Sequence, residues 1–136
     1  MLKRVHHINL LVRDLEVAMQ RYAALQPGEM VLEDLEGRGV RTARFRVGES
    51  WIVLVQPTDP DGSPGRHLAR HGEGLFMLSF EVDSLADCSA QLSPELLDGD
   101  GRRGLDNWLV SDLAESEFFG AQLQLTQELD GVDERE

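Results

Sequence analysis

Two stretches of this chain, 70 residues apart, carry the same strand-then-helix pattern, and that repeat limits the fold more than any other feature. The first is Arg4 to Asp14, Arg-Val-His-His-Ile-Asn-Leu-Leu-Val-Arg-Asp, which alternates as a half-buried strand does. Ile8, Leu10 and Val12 point one way; Val5, His7, Asn9 and Leu11 point the other. Asp14 is placed to cap a helix whose apolar stripe is Leu15, Ala18, Met19, Tyr22 and Leu25. Further on, Leu75 to Val82 alternates again, with Phe76, Leu78, Phe80 and Val82 opposite Leu75, Met77, Ser79 and Glu81. Ser84 to Asp87 then reads as a capping box, followed by an inward stripe of Leu85, Cys88 and Leu92. Under the shift of 70, Val12 falls on Val82, Leu15 on Leu85, Ala18 on Cys88 and Tyr22 on Leu92.

The segments after each helix complete the unit. Met30 and Leu32 suggest a second strand that turns at residues 36–39. Val40 to Val47 reads as a third, with Arg41, Ala43 and Phe45 facing away from Thr42, Arg44 and Arg46. Gly48-Glu49 is a hairpin turn, and Trp51 to Gln56 a fourth strand ended by Pro57. Thr58 to Pro64 is the best linker, leading into a short helix over Pro64 to Arg70. In the second half Leu96-Leu97 is at most a short edge strand, and residues 98–104 read as a polar, Gly-rich loop. Trp108 to Val110 and Ala121 to Gln127 read as the last strands.

Each half is thus strand, helix, three strands. The expected fold is α+β: two tandem βαβββ modules forming a curved, cup-shaped mixed sheet with helices on its outer face. The expected organisation is one domain over 1–136. Module one takes 1–57, a linker with a short helix 58–74, module two 75–127, and a frayed acidic tail 128–136. The alternation chooses the residues that line the cup. They are His7, Asn9, Met77, Ser79 and Glu81 from the opening strands, with Trp51, Val53, Val55, Gln122, Gln124 and Thr126 from the closing ones. A polar cluster on one face of an otherwise apolar sheet marks a ligand site.

The totals narrow the function. The net charge of -12 argues against a nucleic-acid partner, because few cations are available for phosphates. No apolar run approaches the roughly 20 residues that span a bilayer. No stretch reads as a signal peptide, and the single cysteine, Cys88, fits a reducing cytosol, so a cytoplasmic protein is expected. Cys88 itself reads as a small buried hydrophobe.

The order of four blocks resembles the vicinal oxygen chelate superfamily of glyoxalase I, methylmalonyl-CoA epimerase, extradiol dioxygenases and bleomycin-resistance proteins. The blocks are HINLLVRDLEVAMQRY, GVRTARFRVGESWIVLVQP, HLARHGEGLFMLSFEVDSL and GAQLQLTQ, and the likeness is greatest to the epimerase branch. The resemblance implies four metal-ligand positions: His7, Val53, Met77 and Gln124. His7 and Gln124 are able to ligate. Val53 is not, and the Met77 thioether suits a hard divalent ion poorly. The resemblance also implies two carboxylate bases, at the positions of Gln124 and near Thr42, and neither residue is a base.

The expectation is therefore a glyoxalase/bleomycin-resistance-like protein that binds a small organic molecule in the cup without a cofactor. The alternative is a metal-dependent lyase, isomerase or epimerase using Zn, Ni, Co or Mn held by His7 and Gln124. The candidate catalytic residues are His7, Glu81 and Gln124. His7 serves as pocket wall, metal ligand or base, the wall being expected. Glu81 is a cation binder, a base or a solvated strand end. His6 lies on the opposite face and cannot share an ion with His7. His67 and His71, four apart, read as a solvated helix face, and Arg102 and Arg103 as residues of a solvated loop able to grip an anion. Trp51 and Trp108 are pocket or core. A homodimer is possible, since relatives pair their sheets.

Overall fold

The computed structural model describes residues 1–129. The chain divides into two compact units: His7–Phe76, and Met1–His6 together with the chain from Met77 onward. Strand β1 (Arg4–Leu11) contributes its first residues to the second unit and the remainder to the first.

In the unit His7–Phe76, β1 is followed by α1 (Leu15–Ala23), β2 (Val31–Leu35), β3 (Val40–Val47), β4 (Ser50–Pro57) and α2 (Ser63–His71). The strands lie in the order β2-β3-β4-β1. β1 runs parallel to β4, in a register that sets His7 beside Trp51 and Asn9 beside Val53. β3 and β4 form a hairpin that sets Arg44 against Val53 and Arg46 against Trp51. Its turn needs the left-handed backbone of Gly48, at φ 62°. Asp14 caps α1 by accepting from the Val17 N–H at 3.1 Å. The helix covers one sheet face, where Leu15, Ala43 and Leu54 are sealed among Leu10, Met19, Tyr22 and Ile52. Full burial of a leucine side chain such as these contributes about 2 kcal/mol. Leu25 is a correction: the helix stops at Ala23, and Leu25 beyond it is 78% exposed.

The other unit holds β5 (Gly74–Glu81, from Met77 on), α3 (Leu85–Gln91), β6 (Leu97–Arg103), β7 (Trp108–Leu113) and β8 (Leu123–Glu128). The strand order is β5-β8-β7-β6, with β5 parallel to β8 and Ser79 beside Gln124. α3 is capped by Ser84, which accepts from the Asp87 N–H at 3.1 Å. The helix covers a face built on Val82, Leu85, Cys88 and Leu125. Cys88 is buried there as expected.

The α+β class and the mixed sheet with helices on one face stand in each unit. Single hydrogen bonds also match between the two units. The Leu15 N–H donates to the Gln56 side chain at 2.8 Å, and 70 residues later the Leu85 N–H donates to Gln127 at 2.9 Å. Val12 donates to the Val55 carbonyl and Val82 to that of Thr126, both at 2.9 Å. In each half, the closing strand therefore fixes where the helix begins.

Two expectations are corrected. Residues 98–104 are not a loop, because Leu97–Arg103 is edge strand β6, paired with β7. Its register shifts between Asp98 and Arg102, and this irregularity hides the usual alternation. Glu128 is not frayed tail but the last residue of β8, bonded to His6 and Arg4. The rest of the acidic tail, residues 130–136, lies outside the described residues.

Candidate functional site

In each unit the helix-free sheet face carries the polar residues. In His7–Phe76 the strand registers place His7, Asn9, Trp51, Val53, Thr42 and Arg44 on that face. His7 is buried at 3% exposure, and Val53, at 1%, offers only hydrocarbon. The Asn9 side-chain oxygen is buried with no hydrogen-bond partner among the described residues. Arg44, only 4% exposed, donates from Nη1 to Glu33 at 2.8 Å. Its guanidinium lies 5.2 Å from the Trp51 ring centre, and that of Arg46 lies 4.4 Å away. The hairpin turn at Gly48-Glu49 dictates both contacts. That turn is readable in the sequence, but the alternation alone does not single out Arg44 and Arg46 as site residues.

In the other unit the face carries Met77, Ser79, Glu81, Gln122, Gln124 and Thr126 on β5, β8 and the residue before it. Ser79 and Thr126 are fully buried and hydrogen-bond to each other through their hydroxyls. Gln124 is buried, and its Nε2 donates to Asp112 Oδ1 at 3.1 Å. That bond fixes the amide orientation, because the reverse flip would set two oxygens against each other. The Gln124 oxygen then remains buried with no partner among the described residues. Asp112 is held by Arg102 at 2.8 Å. Arg102 is therefore an ion-paired strand residue and not part of a solvated loop, whereas exposed Arg103 bonds the Asp106 carbonyl at 3.1 Å.

Glu81 forms an ion pair with Arg4, so its charge is already countered. His6, which the alternation turns away from the cup, is completely buried. Its Nε2–H donates to Glu128 at 2.7 Å, and its ring meets Trp108 edge-on at 4.6 Å. Burial lowers the His6 pKa, and Glu128 opposes the shift in part. These partners come from β7 and β8, so no local signal announces them. Trp108 is core, at 2% exposure. His67 is not fully solvated: its ring packs at 4.8 Å on Phe76 and 4.5 Å from His71.

Among the described residues, no three His, Cys, Asp or Glu side chains gather as a metal-ligand group. No helix among them is long and apolar enough to cross a membrane.

The family model described as the Glyoxalase/Bleomycin resistance protein/Dioxygenase superfamily matches residues 6–111. The chain belongs to that superfamily. No curated protein sequence matches it. Among solved structures, a variant of Streptomyces coelicolor methylmalonyl-CoA epimerase in complex with 2-nitronate-propionyl-CoA is similar at a TM-score of 0.88 and 25% identity. That likeness covers 96% of this chain and 100% of the other. A methylmalonyl-CoA epimerase in complex with methylmalonyl-CoA and ammonium gives 0.87 and 25%, covering 94% and 96%. The epimerase of Mycobacterium tuberculosis, at 21% identity, shares the fold, with a TM-score of 0.89 and coverage of 98% and 93%.

The donor set does not fit the divalent ion that the resemblance implies. Val53 has no donor atom and Met77 offers only a thioether, so two of the four positions fail, although the Gln124 oxygen keeps a lone pair that could ligate.

Proposed function

We propose that this chain binds a small organic molecule, with His7, Asn9 and Arg44 among its contacts, and does so without a divalent ion. The observation that carries the reading is Val53, a hydrocarbon side chain sealed to 1% exposure at one of the four family ligand positions. The Met77 thioether at a second position supports it. The buried, unpartnered Asn9 oxygen supports a ligand too, because such an atom costs about 1–3 kcal/mol until a donor reaches it. Epimerisation is disfavoured on chemical grounds, since Gln124 and Thr42 stand where carboxylate bases would be needed.

The likeness to CoA-ester complexes makes acyl-CoA esters the first probes, and it favours a second reading, a metal-dependent epimerase of divergent site. Metal analysis after growth with zinc, nickel, cobalt or manganese separates the two, read beside calorimetric titration with methylmalonyl-CoA and propionyl-CoA. The expected result is no stoichiometric metal, together with saturable binding that weakens in His7→Ala. Stoichiometric metal that disappears in His7→Ala overturns the proposal, as does deuterium exchange at the acidic carbon of the ester.

A further inference from the structure

The unit His7–Phe76 contains a cavity of about 230 Å³, lined by Gln26, Pro27, Glu29, Val31 and Trp51 with the arginines Arg44 and Arg46. We propose that this cavity is an oxyanion subsite in which the Arg46 and Arg44 guanidiniums, stacked over Trp51, take the carboxylate or phosphate of a small organic ligand. The proposal rests on the ligand-binding reading and deepens it by giving the ligand a charge.

Three observations carry it. First, two cations converge on one indole, with guanidinium carbons 4.4 Å and 5.2 Å from its centre. Two guanidiniums beside one ring concentrate positive charge locally, in a chain whose net charge is -12. Glu33 serves Arg44 at 2.8 Å. Among the described residues, Arg46 has no carboxylate partner; its Nη1 donates to the Glu49 carbonyl at 2.7 Å.

Second, a guanidinium that stacks on an aromatic face leaves its N–H fork in the plane, directed past the ring. That fork matches a carboxylate or a phosphate with two parallel hydrogen bonds. Stacking on Trp51 and the bond to Glu49 hold Arg46 in place, so less side-chain entropy is lost on binding.

Third, the wall is built from ordered parts. Arg44 is only 4% exposed, and Gln26 Nε2 donates to the Arg46 carbonyl at 3.2 Å, tying the segment after α1 to β3. Glu29, exposed on the rim, opposes anion entry and sets an upper limit on affinity.

The test is a fluorescence titration of the full chain with sodium malonate and, separately, inorganic phosphate, each matched in ionic strength with chloride. Saturable change in Trp51 emission by either anion supports the subsite, and the tighter one names the group. Trp51→Phe, in which only Trp108 emits, loses the signal. Arg46→Gln weakens binding about tenfold, as expected for one charge-assisted hydrogen bond, with Arg46→Lys between. Glu29→Gln tightens it about twofold. Because Arg46 and Glu29 are exposed, these variants fold.

The proposal is overturned if neither anion saturates, if chloride gives the same change, or if Arg46→Gln binds as tightly as the parent. Its failure is distinct from failure of the ligand reading. Stoichiometric metal in the parent protein would overturn the ligand reading while leaving this titration intact.

Discussion

Replacing His6 by Ala tests how the first strand is held. The imidazole is completely buried, meets Trp108 edge-on at 4.6 Å, and donates to Glu128 at 2.7 Å. Removing the ring costs about 2 kcal/mol in transfer and cavity. The aromatic contact contributes about 1 kcal/mol more. The hydrogen bond adds less than a buried charged bond usually does, about 0.5–1 kcal/mol, because Glu128 is 35% exposed and recovers water when the ring is gone. His6→Ala therefore loses about 3–4 kcal/mol, a large share of the stability of a small domain.

The sign with pH comes from the lowered pKa. The folded state binds the His6 proton less readily than the unfolded state does. Its contribution is complete above the ordinary histidine value and declines as pH falls from there toward the depressed folded value. His6→Phe keeps the ring bulk and the Trp108 contact but has no proton to gain, so it loses only about 1 kcal/mol and its stability is flatter over that window. Urea unfolding followed by Trp fluorescence at about pH 7.5 and about pH 5.5 measures both effects. If His6→Phe loses as much stability between the two values as the parent, burial of His6 is not what couples stability to pH. If His6→Ala loses under about 1 kcal/mol, the contact with Trp108 and Glu128 is not holding the strand.

Gly65→Ala is expected to destabilise by about 2–3 kcal/mol in the same assay, because a Cβ there would sit 2.3 Å from the Asp59 carbonyl oxygen and 2.8 Å from Pro60 Cα, both backbone. Glu33→Gln leaves the buried Arg44 charge with a weaker partner and costs about 1–2 kcal/mol, discounted because Glu33 is 31% exposed. Cys88 reacts slowly with a thiol reagent in the folded protein, since it is buried and burial pushes its pKa up; the rate rises sharply in urea.

Local periodicity and turn chemistry decide what is legible in the sequence. The left-handed Gly48 fixes the hairpin, and with it the pairing of Arg44 with Val53 and Arg46 with Trp51. The caps at Asp14 and Ser84 and the shift of 70 are legible for the same reason. Strand β6 is not. Its sequence, Leu-Asp-Gly-Asp-Gly-Arg-Arg, has no alternation to read, and its place is secured by Arg102 reaching Asp112 on the neighbouring strand. The alternation turns His6 away from the helix-free face, yet its partners Trp108 and Glu128 lie in register with Val110 and Thr126 on that face; they stand more than a hundred residues away in sequence, so no local signal corrects the assignment. The ion-paired state of Glu81 is hidden for the same reason: Arg4 approaches it from the other end of the chain.

The strand registers bring out one further difference between the units. Val53 and Gln124 are equivalent positions, so Arg44, opposite Val53, corresponds to Asp112, opposite Gln124. By the same registers Glu33 corresponds to Arg102. Each unit therefore carries one diagonal ion pair at the same place, both 2.8 Å long, with the charges exchanged. The exchange decides what the neighbouring closing strand presents. In one unit the inner partner is a carboxylate, which turns the Gln124 amide so that its oxygen is left as an acceptor. In the other it is a guanidinium, which faces a hydrocarbon at Val53 and leaves Trp51 as its nearby π surface. A hydrogen-bond acceptor in one unit and the proposed cationic subsite in the other thus trace to two charge positions. Exchanging both residues of a single pair, Arg44→Glu with Glu33→Arg, would keep the ion pair, remove the Arg44 guanidinium from beside Trp51 and set a carboxylate there against an incoming anion, with Arg46 left in place. Folding is expected to survive that exchange, whereas the anion titration is not.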